Sequence, residues 1–125
     1  MLPFLTQTVT VWNHTGGSPT VANTYQRTQL DRARYEEGKD GLVLYVDLVC
    51  SEAEQGRTYI EKSAFDLLED TTGSFTFGPE DFIGLGAFVD ALPSSGGKGQ
   101  RKDWRVSAVL PRTAKTGAYL KVTAT

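Results

Sequence analysis

The sequence is poor in the residues that build disulfides, metal centres and acid–base catalysts, since its 125 residues hold one cysteine, Cys50, and one histidine, His14. One cysteine cannot form an intramolecular disulfide or a thiolate metal cluster. A Ser-His-Asp triad would have to use His14, which lies in a polar stretch where a structural turn is expected. Neither an HExxH motif nor zinc-type spacing is present. We therefore expect no catalytic residue, no metal site and no cofactor.

Long apolar runs and a strong charge imbalance are also missing. The longest apolar run, Leu42 to Val46, is far shorter than the roughly 20 residues of a membrane-spanning helix. The first residues, "MLPFLTQT", lack the basic and apolar segments of a secretory signal, so we expect folding in a reducing cytoplasm and no membrane association. A net charge of −2 is too small to hold the whole surface on nucleic acid.

Charged residues form few clusters. Glu80 and Asp81 are adjacent, and neighbouring strand residues point to opposite faces, so we interpret both as solvated turn residues. The basic cluster lies in "SSGGKGQRKD", which lacks the full spacing of a phosphate-binding loop. It is either a solvated loop or a contact with an acidic partner or with DNA. Lys98, Arg101 and Lys102 are therefore the candidate residues of a channel or partner-contact loop.

Alternation of apolar and polar residues is the dominant pattern in the first half. It places Leu5, Val9 and Val11 on one face of a strand. "TYQRTQLDRARYEE" predicts an edge strand or a long twisted strand, with a short helix as the alternative. "LVLYVDLVC" predicts a central strand buried on both faces, with a bulge or an end at Asp47.

The second half predicts one helix and further strands. Ser63 with Asp66 three residues later resembles a helix-capping pair, which predicts a short helix from Ser63 to Glu69 over an open end of the sheet. In "SFTFGPEDFIGLGAFVDAL", Phe75 and Phe77 share a face of a strand that leads into a tight turn at residues 78–81. In the outgoing strand of this hairpin, one face is expected to carry Ile83, Leu85, Ala87 and Val89.

The end of the chain predicts a second hairpin. Alternation in its two strands points one face of each inward, through Trp104, Val106, Ala108 and Leu110 and then through Leu120, Val122 and Ala124. Altogether, six or seven strands, one short helix and long loops predict an all-β fold. We expect a single domain over residues 1–125 that is a small β-barrel or a sandwich.

Four stretches carry a resemblance that spans most of the chain: "FLTQTVTVWNH", "YQRTQLDRARYEE", "FTFGPEDFIGLG" and "DWRVSAVLPRTAKTGAYLKVTAT". Together they resemble the minor capsid proteins of tailed bacteriophages and prophages, of the head-closure (stopper) type. The resemblance implies a non-enzymatic β-barrel subunit made in the host cytoplasm and located in the virion, at the head–tail junction. Such subunits form a homo-oligomeric ring between portal or adaptor and tail, and the isolated chain can be a monomer.

The resemblance also implies roles and partners. The ring would retain packaged DNA, touch it non-specifically and dock the tail. Its channel loop would be "SSGGKGQRK" or the segment Ser51 to Arg57. A tail-completion or minor head protein is the nearest alternative. A small nucleic-acid-binding barrel is the alternative from another class, although its aromatic residues do not cluster in one strand. A small enzyme or ligand-binding module ranks last.

Overall fold

The computed structural model describes residues 4–18, 21–39, 41–49, 56–90, 92–93, 103–114 and 117–125, without the side chains of residues 16–18, 21–23 and 114. Within these ranges the chain forms eight strands and one short helix, which confirms the all-β prediction. In chain order the elements are β1 (Gln7–Ser18), β2 (Val21–Gly38), β3 (Gly41–Asp47), β4 (Thr58–Tyr59), α1 (Lys62–Phe65), β5 (Ser74–Phe75), β6 (Phe82–Leu85), β7 (Trp104–Ala114) and β8 (Gly117–Ala124).

Six of the strands close into a barrel in the order β1-β2-β3-β8-β7-β6. Every neighbouring pair in this barrel is antiparallel. Closure leaves the barrel itself without an edge strand, which is one way that small β-folds avoid edge-to-edge aggregation. Of the two predicted architectures the barrel is therefore right. β2 is a strand of 18 residues that pairs on both sides, so the long-strand prediction is confirmed, and the edge strand and helix are wrong.

The core fills the barrel interior with side chains from alternate strand positions. In β3 buried and half-buried residues alternate strictly, because one face of the strand points inward. The prediction that this strand is buried on both faces is wrong, whereas the predicted end at Asp47 is confirmed. Each fully buried aliphatic or aromatic side chain contributes roughly 1.5–3 kcal/mol. The buried set includes Val9, Val11, Leu30, Leu42, Leu44, Val46, Phe75, Phe77, Ile83, Trp104, Val106, Leu120 and Val122.

β1 is buried on its outer face as well. Thr10 and Trp12 point away from the core, yet neither is exposed to solvent. The segment after β6 covers them: Thr10 Oγ1 donates to the Gly86 carbonyl at 2.8 Å, and Trp12 Nε1 donates to the Asp90 carbonyl at 2.9 Å. The Phe88 ring packs on the Trp12 ring at a centroid distance of 6.1 Å. The residues from Gly86 to Asp90 therefore form a second layer over β1.

The connection from β3 to β6 crosses one end of the barrel, because these two strands lie opposite each other in the barrel order. It carries α1 and a small parallel sheet of β4 and β5. The rings of Tyr59, Phe75 and Phe77 pack against one another at centroid distances of 6.0 Å, 6.0 Å and 6.4 Å. Because Phe75 and Phe77 belong to the core and Tyr59 packs against it, these rings close that end of the barrel.

The turn predicted at residues 78–81 is present, since the Asp81 N–H donates to the Gly78 carbonyl at 2.9 Å. The hairpin predicted around it is wrong. β5 pairs with β4, whereas β6 pairs with β1 and β7. β6 also ends at Leu85, and Val89 is 92% exposed, so the predicted common face does not extend beyond that strand.

The helix is shorter than the one predicted from Ser63 to Glu69. It covers four residues, and its N-cap is Glu61, without a side-chain capping bond, so Ser63 does not cap it. The N–H groups of Leu67 and Leu68 donate to carbonyls three residues back, not four. The helix therefore tightens and ends after one turn, and buried Phe65 anchors it.

A register shift changes the alternation in β7. Trp104 and Val106 are buried as predicted, but a bulge lies between Val106 and Ala108. The extra residue reverses the inward and outward positions that follow. Val109 consequently packs against the core, whereas Leu110 is 49% exposed, which corrects the prediction that Leu110 points inward.

Candidate functional site

The predicted contact residues Lys98, Arg101 and Lys102 lie outside the described residues, as do residues 51–55 of the second candidate loop. The part of the chain that the structure describes offers three other features with concentrated charge or exposed apolar surface. They are a polar cluster at the covered end of the barrel, the surface around α1, and the outer face of the β7–β8 hairpin.

The polar cluster centres on Asp81, which is fully buried, whereas the neighbouring Glu80 side chain is 61% exposed. The prediction that both acids face water is therefore wrong for Asp81. Asp81 Oδ1 accepts a hydrogen bond from the backbone N–H of His14 at 2.8 Å. Lys62 Nζ lies 3.6 Å from the same oxygen. Asp81 thus joins β1, the turn and α1.

Burial raises the pKa of the Asp81 carboxyl, because removal from water disfavours its charged form. The hydrogen bond from the His14 backbone and the charge of Lys62 oppose this effect without cancelling it. The second carboxylate oxygen, Oδ2, has no hydrogen-bond partner among the described residues. Keeping the Asp81 carboxylate charged in the folded protein therefore costs desolvation free energy.

Two further side chains, those of Asn13 and Arg57, hold the β3–β6 connection against the barrel by hydrogen-bonding to backbone groups. Asn13 donates through Nδ2 to the Thr76 carbonyl at 2.6 Å and accepts the Thr76 N–H at 3.2 Å. Arg57 is buried, and its guanidinium donates to the carbonyls of Thr72 and Arg27 and to Thr28 Oγ1, at 2.7–2.8 Å. A buried cation is tolerated only when its donors are satisfied in this way. In the second candidate loop, Arg57 therefore has a structural role.

A cleft of about 320 Å³ lies beside this cluster, lined by residues that include Phe65, Leu68 and Asp66. His14 Nδ1 lies 3.3 Å from Glu80 Oε2 at its wall. The described residues contain no group of three or more metal-ligating side chains, so the cleft has no assembled metal centre. The cleft combines carboxylates, which attract cations, with the apolar side chains of Phe65 and Leu68.

The α1 surface, defined here as Asp66, Leu67, Leu68 and Glu69, projects from the covered end of the barrel. Leu67 is 85% exposed and Leu68 is 40% exposed. The surrounding stretch, residues 61–70, carries four carboxylates against one amine. Exposed apolar side chains within a rim of one charge are typical of interaction sites.

The β7–β8 patch, defined here as Leu110, Arg112, Tyr119 and Lys121, lies on the outer face of the barrel. Cross-strand register places Leu110 opposite Lys121 and Arg112 opposite Tyr119. No ion pair among the described residues involves Arg112 or Lys121. The patch therefore combines an exposed leucine with two cations that lack a carboxylate partner in the described part of the chain.

Aromatic rings extend this patch across the barrel. The Phe4 ring meets Tyr119 and Tyr45 edge to face, at centroid distances of 5.4 Å and 6.5 Å. Tyr45 and Tyr119 also contact each other at 6.1 Å. The prediction that the aromatic residues do not cluster in one strand remains correct, but closure of the barrel brings these rings together.

Sequence reasoning missed the β7–β8 patch and did not single out the four residues of the α1 surface, although each leaves a signal. "DLLED" places two leucines among acids directly after a short helix. The alternation of β8 already points Tyr119 and Lys121 outward. The position of Leu110 beside them could not be predicted from the sequence, because it depends on the bulge in β7.

Comparison with known proteins returned no match: no family model, no curated protein and no solved structure is significantly similar to this chain. Among the described residues, no helix is both long and apolar enough to cross a membrane. The phage-family resemblance therefore remains a prediction.

Proposed function

We propose that this protein is a structural subunit of a phage neck that acts in head closure, as part of a ring between portal or adaptor and tail. The observation that carries the proposal is the location of the four stretches on which the resemblance depends. They supply β1, β2, β6, β7 and β8, which are five of the six barrel strands. The resemblance thus covers one continuous folded unit.

Two surface properties also support a role in assembly. The α1 surface presents apolar side chains at one end of the barrel, and the β7–β8 patch presents them on its side. A subunit of a ring needs two separate contact surfaces of this kind, because each copy contacts two neighbours. The charged groups in the interior, Asp81 and Arg57, bind neighbouring parts of the same chain and stabilise the subunit.

The proposal is tested by removing the gene from the phage or prophage that encodes it, with complementation by the intact gene as the control. Loss of head closure should give complete tails together with heads that fail to retain DNA. DNA-filled heads that do not join tails would favour the tail-completion alternative. Normal infectious particles without the protein would contradict both roles.

A direct test uses the purified chain mixed with the purified portal or adaptor ring. Negative-stain images should then show an added ring of density at one end of the portal or adaptor. A chain that stays separate from every neck component contradicts the proposal.

A nucleic-acid-binding barrel remains the second candidate, because one observation favours it. The β7–β8 patch places two cations beside the ring cluster of Phe4, Tyr45 and Tyr119. These rings meet edge to face and are partly buried, so they offer less free ring surface for base stacking than a nucleic-acid platform requires. Fluorescence anisotropy of a labelled single strand at low salt tests this role, and no binding would remove it.

A further inference from the structure

We infer that the α1 surface of one copy of this chain docks on the β7–β8 patch of a second copy. The inference rests on the ring assembly proposed above and names the contact that would build it. Both surfaces lie on described residues, and each has an apolar centre with charges of one sign.

The acidic side of this contact, the α1 surface, has the more exposed apolar centre of the two. Leu67 is 85% exposed, and Glu69 beside it is exposed and has no ion pair among the described residues. Asp66 is paired with Lys62 at 3.5 Å, so part of its charge is already compensated. Glu69 therefore provides the least compensated charge next to the apolar centre.

The basic partner has complementary chemistry. Leu110 supplies the apolar contact, and Lys121 lies directly opposite it in the register of β7 and β8. Asp47, which lies opposite Tyr119 in β3, is engaged by Arg32 at 3.6 Å. Within the part of the chain that the structure describes, no carboxylate pairs with Lys121 or Arg112, and we assign these cations to carboxylates of the second copy.

Complementary charge around an apolar centre selects partner and register more than it adds affinity. A contact between two different surfaces of the same chain is heterologous, and it closes into a ring or continues as a filament. An isologous dimer centred on either surface alone would instead place acid against acid or cation against cation. The charges therefore favour a head-to-tail contact over a two-fold dimer built on one of these surfaces.

Charge reversal tests the contact in a way that separates it from general effects of net charge. Glu69→Lys and Lys121→Glu each place like charges at every such contact. An equimolar mixture of the two variants restores opposite charges at every contact when the copies alternate. Glu37→Lys and Lys39→Glu, on exposed residues at the β2–β3 turn, change the net charge equally and serve as controls.

The measurement is sedimentation velocity of the full chain up to about 1 mM in low salt, a range that detects weak contacts. The wild type and both controls should self-associate, each reversal should weaken association about tenfold, and the mixture should recover it. Added salt should weaken the wild-type contact, because the Debye length is about 10 Å at 0.1 M. Circular dichroism checks that all variants are folded.

Three outcomes would overturn the inference: a wild type that is monomeric at about 1 mM, single reversals that associate as the wild type does, or a mixture that stays dissociated. A labelled oligonucleotide whose binding is lost in Lys121→Glu and kept in Glu69→Lys, with no recovery in the mixture, would instead make the patch a nucleic-acid surface. Rings on the portal that ignore both reversals would contradict this contact and leave the head-closure role intact. Virions that close normally without the protein would contradict that role, whatever the sedimentation result.

Discussion

At the scale of single residues, the adjacent carboxylates of Glu80 and Asp81 have opposite environments. Glu80 is mostly exposed and contacts His14, whereas Asp81 is buried between β1, its own turn and Lys62. Removing a buried acceptor leaves its donors unpaired, which costs about 1–3 kcal/mol. The contact between the exposed Glu80 carboxylate and His14 contributes far less.

Replacing Asp81 by Ala should therefore lower the free energy of unfolding by about 1–3 kcal/mol. Glu80→Gln, at the neighbouring position, should change it by less than about 0.5 kcal/mol. Urea denaturation at neutral pH measures both. If Glu80→Gln proved the more harmful change, the structural role assigned to Asp81 would be wrong.

The pKa of Asp81 also predicts a pH dependence. Because the folded pKa is raised above 3.8, the folded state holds the proton more tightly than the unfolded chain does. The resulting stabilisation is complete below the unfolded pKa and is lost as the pH rises through the folded pKa. The unfolding free energy of the wild type minus that of Asp81→Asn should thus fall as the pH is raised from about 4 toward neutrality. A series of urea titrations measures this difference, and one that grows with pH would contradict the prediction.

Gly84 is a second residue whose role depends on its neighbours. A Cβ at this position would come within 2.8 Å of the Trp12 ring, which is fully buried and donates its indole N–H to the Asp90 carbonyl. Gly84→Val should therefore lower the free energy of unfolding by about 1–3 kcal/mol through overpacking. Gly73→Ala is the control, because nothing lies within 4 Å of a Cβ there. Equal effects of the two changes in chemical denaturation would refute the close approach.

At the scale of elements, the layer from Gly86 to Asp90 explains why β1 is buried on both faces. Thr10, Trp12 and Arg27 bond to its backbone, and Phe88 covers the Trp12 ring. The layer has no strand pairing of its own within the described residues. Side-chain hydrogen bonds to its backbone and the contact between the Phe88 and Trp12 rings help to hold it in place.

Phe88→Ala should loosen this layer and lower the free energy of unfolding by about 1–2 kcal/mol through lost apolar burial. Trp12 should then become more accessible, with a red-shifted fluorescence emission. Val89→Ala is the matched control, since Val89 is 92% exposed and its loss should leave both quantities unchanged. An unchanged spectrum in Phe88→Ala would show that the layer does not depend on this ring.

At the scale of the whole molecule, closure joins both ends of the chain in one sheet. β1 pairs with β6, and β8 pairs with β3, so neither half can complete the barrel alone. The core correspondingly draws side chains from all six barrel strands. The predicted single domain over residues 1–125 should therefore behave as one cooperative unit.

Urea unfolding followed by tryptophan fluorescence and by far-ultraviolet circular dichroism should give coincident transitions, because Trp12 and Trp104 lie on different strands of the same barrel. The slope should be about 1–3 kcal/mol per molar urea, as for other small domains. Two separate midpoints would contradict a single cooperative domain.

The sequence by itself determined the all-β class, the alternation in β1 and β8 and the turn at residues 78–81, because these depend on period-two burial and local turn chemistry. Only the tertiary structure decided the partners of each strand, the burial of Asp81, the cover over Trp12 and the outward position of Leu110. Strand pairing and the bulge in β7 are long-range choices that shift a side chain from one face to the other without changing its local pattern. The β7–β8 patch, which depends on the outward position of Leu110, therefore became visible only in the closed barrel.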